Sequence, residues 1–341
     1  MKPAVWPREK PGEARLLQVD PGAGTVSDRR LSDLPNLLRA PDLLVVNDAG
    51  TLPASLVAVT SRGRVEVRLA GPGETDRDWT AVLFGAGSWR QRTEDRPLPP
   101  ALARGEVIRF GDALCAEVRS VSETSPRLVE LRFDREGASL WSALYRHGRP
   151  VQYSHLCGPL ALWHVQTAFG SRPWAVEMPS AGRPLGIALL GQLRRRGVSI
   201  ASVTHAAGLS STGDPVLDAG LPLPERFEVP PATVEAVEVA RRAAGRVVAV
   251  GTSVVRALEA SAASDGRVRA GRGVATLRLA AGSVPRAVDG LLTGVHEPGT
   301  SHFDMLRAFA PEPLLQEARA RAEAWGYLEH EFGDLSLILA A

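Results

Sequence analysis

Residues 246–260 read RVVAVGTSVVRALEA, and this stretch decides the fold because it joins a buried strand to a helix through one tight turn. The four apolar residues 247–250 indicate a strand, Gly251 interrupts them, and apolar positions then recur at helical spacing. A hydroxyl such as that of Thr252 or Ser253 satisfies a free backbone N–H at a helix start, and glycine lets the backbone approach a ligand closely. The free amides of such a first turn attract carboxylates, hydroxyls or phosphates. A ligand-binding turn and a purely structural turn fit the stretch about equally well.

The composition is that of a globular protein with little net charge. The chain has 341 residues, of which 44% are hydrophobic, so it can form a sizeable core in one large domain or two ordinary ones. A formal net charge of +2 excludes the general basic field of nonspecific nucleic-acid binders. Cys115 and Cys157 lack metal or redox spacing. The sequence shows no signal-peptide core and no apolar run long enough for a membrane span, so we expect a cytoplasmic protein without a membrane partner.

The pattern of the chain changes between residues 55 and 148, where short strand-like segments follow one another with turn signals between them. Outside this region, apolar strand-like runs alternate with helical patterns, which is typical of a parallel sheet covered by helices. We therefore predict an α/β protein. Residues 1–54 and 149–341 form a mostly parallel sheet core flanked by helices, and residues 55–148 form an inserted small β-barrel domain. Helices are predicted at residues 31–38, 185–196, 231–244, 304–310 and 314–325.

Polar residues follow several of the predicted strands directly. The ligand crevice of a parallel α/β sheet lies beyond the carboxyl ends of its strands, so neighbouring strands would bring these residues together. For any single residue, a strand that simply ends in a polar turn is the better explanation, whereas the set as a whole favours a site. The residues are Asn47, Asp48, Glu177, Ser180, Thr204, His205, Thr252, Ser253, His296 and Glu297.

Motifs of several common enzyme classes are absent from the sequence. It contains no GxGxxG fingerprint, no Walker lysine loop and no GxSxG elbow. His205, Glu177 and His296 are of the types that bind zinc, but no local pair of ligands supports such a site. No metal site is therefore predicted.

Six segments match one known family in order and spacing across nearly the whole chain. They are LLVVNDAGTLPASL, VQTAF at residues 165–169, PSAG at residues 179–182, GRVVAVGTSVVRALE, VDGLLTGVHEPGTS and FGDLSLIL. Together they resemble the S-adenosylmethionine:tRNA ribosyltransferase-isomerase family of queuosine synthesis. The resemblance implies an α/β core with an inserted β-barrel, the same architecture that the strand and helix patterns predict.

The resemblance also implies an unusual use of S-adenosylmethionine. The family takes the ribosyl part of this molecule, not its methyl group, and transfers it to the aminomethyl group of a 7-deazaguanine base in the tRNA anticodon. Epoxyqueuosine forms, and adenine and methionine leave. We expect S-adenosylmethionine as a substrate, tRNA as a partner, no prosthetic group, and a monomer or a weak oligomer.

The implied reaction needs a base, because the carbon next to the sulfonium must lose a proton. The sulfonium acidifies that carbon, so a histidine or a carboxylate suffices. His296, in VHEPGTS where the family has a similar FHLPKST, is the best candidate for this acid or base. His205 and Glu225 are the further catalytic candidates.

The methionine ammonium and carboxylate and the ribose hydroxyls need polar anchors. Thr252, Ser253 and Arg256 are expected to hold a carboxylate or hydroxyl at the helix start, and Glu259 contacts the substrate or orients Arg256 instead. The substrate-binding candidates are Asn47, Asp48, Gln166, Ser180, Ala181, Gly182, Thr204, Gly251, Thr252, Ser253, Arg256, Glu259, Glu297, Thr300 and Ser301.

Several positions depart from the family's motifs. Gly50 and Ser55 stand where NDTRxxPAR has arginines, Pro184 replaces the histidine of PTAGLHF, and Gly299 replaces the lysine of HLPKST. The HSE motif loses its histidine but keeps Glu225. The lost groups are mainly cations and imidazoles, and each lost phosphate contact weakens nucleic-acid binding. We therefore expect weakened tRNA binding.

These departures suggest a diverged paralogue and leave three interpretations open. The chain is the family enzyme acting on tRNA through substituted contacts, or it uses S-adenosylmethionine with a small acceptor or only cleaves it, or it is a noncatalytic protein that binds a nucleoside or tRNA. The family's TLHVGxGTF histidine moves by one residue to His205, which would turn it to the other face of an extended segment. New polar residues near the retained motifs argue mildly against simple decay; they are Arg149, Arg183, His205, Glu297, His302 and Asp304.

Overall fold

The computed structural model of the chain describes residues 1–112 and 114–340. The strands of these residues, in chain order, are β1 (Lys2–Pro3), β2 (Arg15–Asp20), β3 (Thr25–Arg30), β4 (Leu43–Asn47), β5 (Ala49–Thr51), β6 (Ser55–Thr60), β7 (Gly63–Pro72), β8 (Asp78–Phe84), β9 (Val107–Phe110), β10 (Leu114–Val121), β11 (Leu128–Phe133), β12 (Gly148–Arg149), β13 (Arg172–Ala175), β14 (Ser199–His205), β15 (Glu225–Val229), β16 (Val247–Val250), β17 (Gly271–Ala275), β18 (Gly290–Gly294), β19 (Leu328–Glu329) and β20 (Leu335–Ile338).

The α-helices flank these strands. They are α1 (Leu34–Leu37), α2 (Gly137–His147), α3 (Ile187–Arg195), α4 (Pro215–Ala219), α5 (Pro231–Arg242), α6 (Thr252–Ser261), α7 (Ser301–Leu306) and α8 (Glu312–Ala324). The predicted helices are confirmed with shifted bounds. The largest shift is at α7, which begins earlier than residue 304 because the Thr300 side chain accepts a hydrogen bond from Phe303 N and caps the helix.

The α/β core is built on a sheet with the strand order β17-β15-β14-β4-β16-β18-β20-β2-β3. Its four central neighbours β14, β4, β16 and β18 are parallel, which confirms the predicted parallel core. Antiparallel pairs flank them, because β15 pairs with β14 and β20 pairs with β18 in the opposite direction. The carboxyl ends of the four central strands therefore lie along one edge of the sheet.

Strand β16 shows why the central strands read as continuous apolar runs. Val247 and Ala249 pack into the cluster on the α5 and α6 face, whereas Val248 and Val250 pack into the cluster on the α3 face. None of the four is more than 2% exposed. Because helices cover both faces of the sheet, every position of the strand must be apolar.

The inserted barrel is an antiparallel sheet with the order β12-β6-β7-β8-β11-β10-β9, and pairing of β6 with β9 closes it. Alternating side chains such as those of Phe110 and Phe133 fill its interior. The chain enters and leaves the barrel side by side, since Gly148 pairs with Leu56. A Cβ at Gly148 would lie 2.2 Å from Pro53 O, so only glycine fits this crossing.

Membrane insertion by a helix has no support in the described part of the chain, where every helix is too short or too polar to span a bilayer.

Candidate functional site

Asn47, the last residue of β4, ties together the strand ends that were predicted to converge. Its Nδ2 donates to His205 O at 2.9 Å and to Ser253 Oγ at 3.2 Å, and its Oδ1 accepts from His205 N at 2.9 Å. Alternation along β4, β14 and β18 puts Asn47, His205 and Thr293 on the sheet face that α6 covers. The geometry thus brings the ends of β4 and β14 and the start of α6 into one cluster.

Gly251 forms the turn between β16 and α6. It has φ 88° and ψ 155°, a conformation that essentially only glycine adopts. Its N–H donates to Leu292 O at 2.7 Å, which fixes the turn to the neighbouring strand β18. A Cβ here would lie 3.6 Å from Ala181 Cβ, so the 3₁₀ turn Ser180–Gly182 packs directly beside the start of α6.

His296 lies just beyond the end of β18. Its Nε2 is 2.7 Å from Thr293 Oγ1, and its ring stacks on His302 of α7 with centroids 4.9 Å apart and planes 14° apart. Arg319 of α8 donates to His296 O at 3.1 Å and holds the backbone. Burial lowers the pKa of His296 well below its usual value, and the neighbouring His302 adds to that effect. Burial likewise lowers the pKa of His302. Both imidazoles are therefore neutral at pH 7 and able to accept a proton.

His205 is fully buried at the end of β14, and neither ring nitrogen has a hydrogen-bond partner within the described residues. Glu225 lies 3.5 Å from its Nε2 but is bound to Arg256 and accepts from Gly208 N. Burial, with the Arg256 charge beside it, lowers the pKa of His205 to about 3. These contacts place both side chains in the core behind the strand ends, and the catalytic role of His205 and Glu225 stays a prediction.

Arg256 points into the core and not towards the start of α6. Its guanidinium binds Glu225 and donates to Ala275 O at 2.7 Å and to Leu223 O at 3.3 Å. Glu259 is engaged elsewhere, since its carboxylate accepts three consecutive backbone amides of residues 286–288. Glu225, and not Glu259, therefore orients Arg256, whereas the anchoring of a substrate carboxylate by Arg256 stays a prediction.

Other predicted residues build the walls around the strand ends. Gln166 forms two hydrogen bonds with the backbone of Thr51: its Oε1 accepts from the N–H and its Nε2 donates to the carbonyl, at 3.0 Å each. Asp48 accepts from Ser202 Oγ at 3.0 Å and from Thr204 Oγ1 at 2.5 Å on the opposite face of the sheet from α6. These contacts satisfy the side chains within the protein, and they fix the shape of the edge.

Three predicted residues lie between His296 and the first turn of α7. Glu297 is exposed and pairs with Arg319 at 3.7 Å, and Thr300 Oγ1 donates to Glu297 O at 2.7 Å. Ser301 is the first residue of α7. This half-exposed loop places polar atoms next to the stacked histidines.

Three residues near the edge were not among the predicted site residues. Thr293 and Arg319 fix His296, and Arg172 donates to Thr204 Oγ1 at 2.5 Å. Burial raises the pKa of the Glu177 carboxyl to about 7. The position of Glu177 after a strand indicated it as a site residue in the sequence. Nothing in the local sequence of Arg172 or Arg319 indicates a role at this edge.

The whole chain is similar to proteins of one family. The model of the family described as "Queuosine biosynthesis protein" matches residues 2–338. Two relatives named S-adenosylmethionine:tRNA ribosyltransferase-isomerase come from Methylobacterium radiotolerans, 33% identical over 98% of this chain and 93% of the relative, and from Anaeromyxobacter dehalogenans, 36% identical over 98% and 94%.

A crystal structure of S-adenosylmethionine tRNA ribosyltransferase from Thermotoga maritima has the same fold, with a TM-score of 0.54 and 22% identity over 99% of this chain and 96% of that one. At this identity the likeness concerns the fold alone. The family model matches nearly the whole chain, and the two relatives are more than 30% identical to it. The chain therefore belongs to the queuosine biosynthesis family.

Proposed function

We propose that this protein is a ribosyltransferase-isomerase that uses S-adenosylmethionine as the ribosyl donor and a 7-aminomethyl-7-deazaguanine base in tRNA as the acceptor. The observation that carries the proposal is the neutral, fixed imidazole of His296 beside the converging ends of β4, β16 and β18. Family membership supplies the reaction, and this edge of the sheet supplies a base of the required kind.

His296 acts as the base that removes the proton next to the sulfonium. The Nε2 atom of His296 is hydrogen-bonded to Thr293 Oγ1, and its Nδ1 atom has no hydrogen-bond partner among the described residues. The role requires the tautomer in which Nε2 carries the proton and donates to Thr293, so that the Nδ1 lone pair is free. A base whose pKa lies below the working pH is in its active form throughout the neutral range.

The donor lies against the start of α6 and the neighbouring turn. Ser253, held by Asn47, offers a hydroxyl, and the first-turn amides of Thr252 and Ser253 offer N–H groups to a carboxylate or ribose hydroxyl. The turn Ser180–Gly182 forms the adjacent wall. Additional polar atoms come from Glu297 and Thr300 in the loop before α7 and from Ser301, the first residue of that helix.

The remaining candidates support this arrangement without touching the substrate. Arg256 and Glu225 neutralise each other beneath the strand ends, and His205 fills the space beside them. Other supporting contacts are made by Asp48, Gln166, Thr204 and Glu259.

The transfer of the ribosyl group to the proposed acceptor can be tested directly. The protein is incubated with S-adenosylmethionine and with tRNA that carries the aminomethyl-deazaguanine base, and free adenine, free methionine and the modified nucleoside are quantified. We expect the three products in equal amounts. Adenine release without nucleoside modification would show that the acceptor is another molecule or water, and not this tRNA. Binding of S-adenosylmethionine without any adenine release would show that the protein is noncatalytic.

A further inference from the structure

A group of three side chains with metal-binding chemistry has no role in the proposed reaction, and one of them, Glu331, lies near enough to His302 to affect its pKa. His155, His330 and Glu331 each offer one ligand atom, and these atoms all lie within 4.8 Å of one another. His155 follows β12, whereas His330 and Glu331 lie in the turn between β19 and β20. Folding thus assembles the group from two parts of the chain that are far apart in sequence.

Two of these side chains bury polar atoms that the protein leaves unpaired. His155 Nε2 and Glu331 Oε2 are inaccessible to solvent, and neither makes a hydrogen bond within residues 1–112 and 114–340. The two side chains approach to 3.4 Å, but they are not aligned as donor and acceptor. Buried polar atoms without partners are rare in native structures, and an ion between them is one of the standard explanations.

The spacing of the two atoms suits a common metal ligand sphere. Zinc binds histidine nitrogen and carboxylate oxygen at about 2.0–2.2 Å, so two ligands of a tetrahedral site lie roughly 3.4 Å apart. The separation of His155 and Glu331 already has this value. Only His330 must move: its ring now stacks on His155 at 4.5 Å, and with 42% of its side chain exposed it has room to turn.

The backbone of His330 is itself unusual. Its φ of 69° lies in the left-handed region, which residues other than glycine seldom adopt. Hydrogen bonds from Gly333 N to His330 O at 3.0 Å and from Asp334 N to Leu328 O at 2.8 Å close the turn around it. Strained residues that surrounding structure holds in place cluster at ligand sites, and here the strained residue carries a ligand side chain.

We propose that His155, His330 and Glu331 bind one divalent transition-metal ion of the zinc class, with water completing a tetrahedral sphere. Imidazole with a single carboxylate favours such ions over calcium or magnesium, which prefer oxygen-only sites. The ion fastens the segment after β12 to the β19–β20 turn. Glu329 Oε1, 3.9 Å from His330 Nε2, is placed to orient that ring as an outer partner.

Metal binding to the full chain tests the proposal. Protein without a histidine tag is treated with chelator, dialysed and titrated with Co²⁺ or Zn²⁺, and Co²⁺ absorbance and calorimetry are recorded. We expect one ion per chain and a rise in Tm on adding Zn²⁺, because a ligand that binds only the folded state stabilises it. Absence of saturable binding at one ion per chain would overturn the proposal.

Two variants and a control locate the ion. His155→Ala and Glu331→Gln should each weaken binding by more than the roughly 10–100-fold that loss of an outer partner costs. Glu331→Gln keeps the shape of the side chain, so it remains informative if His155→Ala fails to fold. His147→Ala removes a histidine of α2 that packs on the turn at Gly111, and it should bind as wild type does. Wild-type affinity in both cluster variants would exclude this site.

Discussion

The ends of β14 and β18 both carry a histidine candidate for the base, and the two histidines differ in exposure and in hydrogen bonding. His205 is fully buried, with no partner on its ring nitrogens in the described chain and a pKa lowered to about 3. His296 keeps some exposure, contacts Thr293 at 2.7 Å and stacks on His302. A position after a strand does not by itself make a site residue. The difference lies in what covers each strand end: α6 covers His205, whereas the chain beyond β18 forms an open loop before α7.

The largest effect that separates these two environments is expected from His296→Ala. Loss of a general base lowers the rate by about 10²–10⁴-fold, so adenine release should fall by that factor while S-adenosylmethionine still binds. Adenine is measured by chromatography and binding by calorimetry. His164→Ala serves as a control in a histidine of the 3₁₀ turn Leu162–Val165. Unchanged turnover in His296→Ala would eliminate this residue as the base.

Arg256→Met tests the buried ion pair beside His205. Removing one partner of a buried ion pair leaves the other charge uncompensated, which costs about 3–5 kcal/mol of unfolding free energy. Arg256 is 3% exposed and bound to Glu225, so we expect a loss in this range in urea denaturation.

The matched control is Arg272→Met. Arg272 pairs with Glu228 at 2.9 Å, but 78% of its side chain is exposed, and such pairs contribute under about 1 kcal/mol. Equal losses of stability in Arg256→Met and Arg272→Met would show that the Arg256 pair is not the buried support described for the strand ends.

Thr293→Val should have a smaller effect, through the position of the His296 ring. One neutral hydrogen bond contributes about 1 kcal/mol, so kcat should fall by roughly fivefold with KM nearly unchanged, because the hydroxyl positions His296 and does not bind the substrate. Thr293→Ser retains the hydroxyl and should restore the rate. A comparable rise in KM at constant kcat would instead place Thr293 in contact with the substrate.

The sequence predicted the architecture well because local patterns determine it. The apolar run of β16, Gly251 and the helical repeat of α6 form a strand–turn–helix unit, and the parallel neighbours bring Asn47 to Ser253 as expected. It could not predict which polar side chains turn inward. Arg256 sits on the buried face of α6, and its partner Glu225 begins a strand elsewhere in the chain, so their pairing depends on tertiary packing.

The same limit explains why no metal site was predicted. Zinc signatures in sequence are pairs of ligands a few residues apart. Cys157, two residues after His155, is not part of the group, and His330 and Glu331 reach His155 only after the C-terminal turn folds back. A site assembled by long-range packing leaves no local pattern.

The smallest expected effect concerns the pH dependence of stability. A histidine that is neutral and buried in the folded protein has a lower pKa there than in the unfolded chain, where it is about 6.5. The unfolded state therefore binds more protons below that value, and stability falls as the pH drops through 6.5 towards 3 for His205. Each such group contributes up to about 1.4 kcal/mol per pH unit.

His205→Gln removes one of these groups, so only the slope of stability against pH is compared, not its absolute value. Between pH 6.5 and 5.5 the variant should lose about 1 kcal/mol less unfolding free energy than wild type in urea titrations. Because burial also lowers the pKa of His296 and His302, a residual slope should remain in the variant. Identical slopes would mean that His205 takes up its proton in the folded protein, which full enclosure behind α6 does not permit.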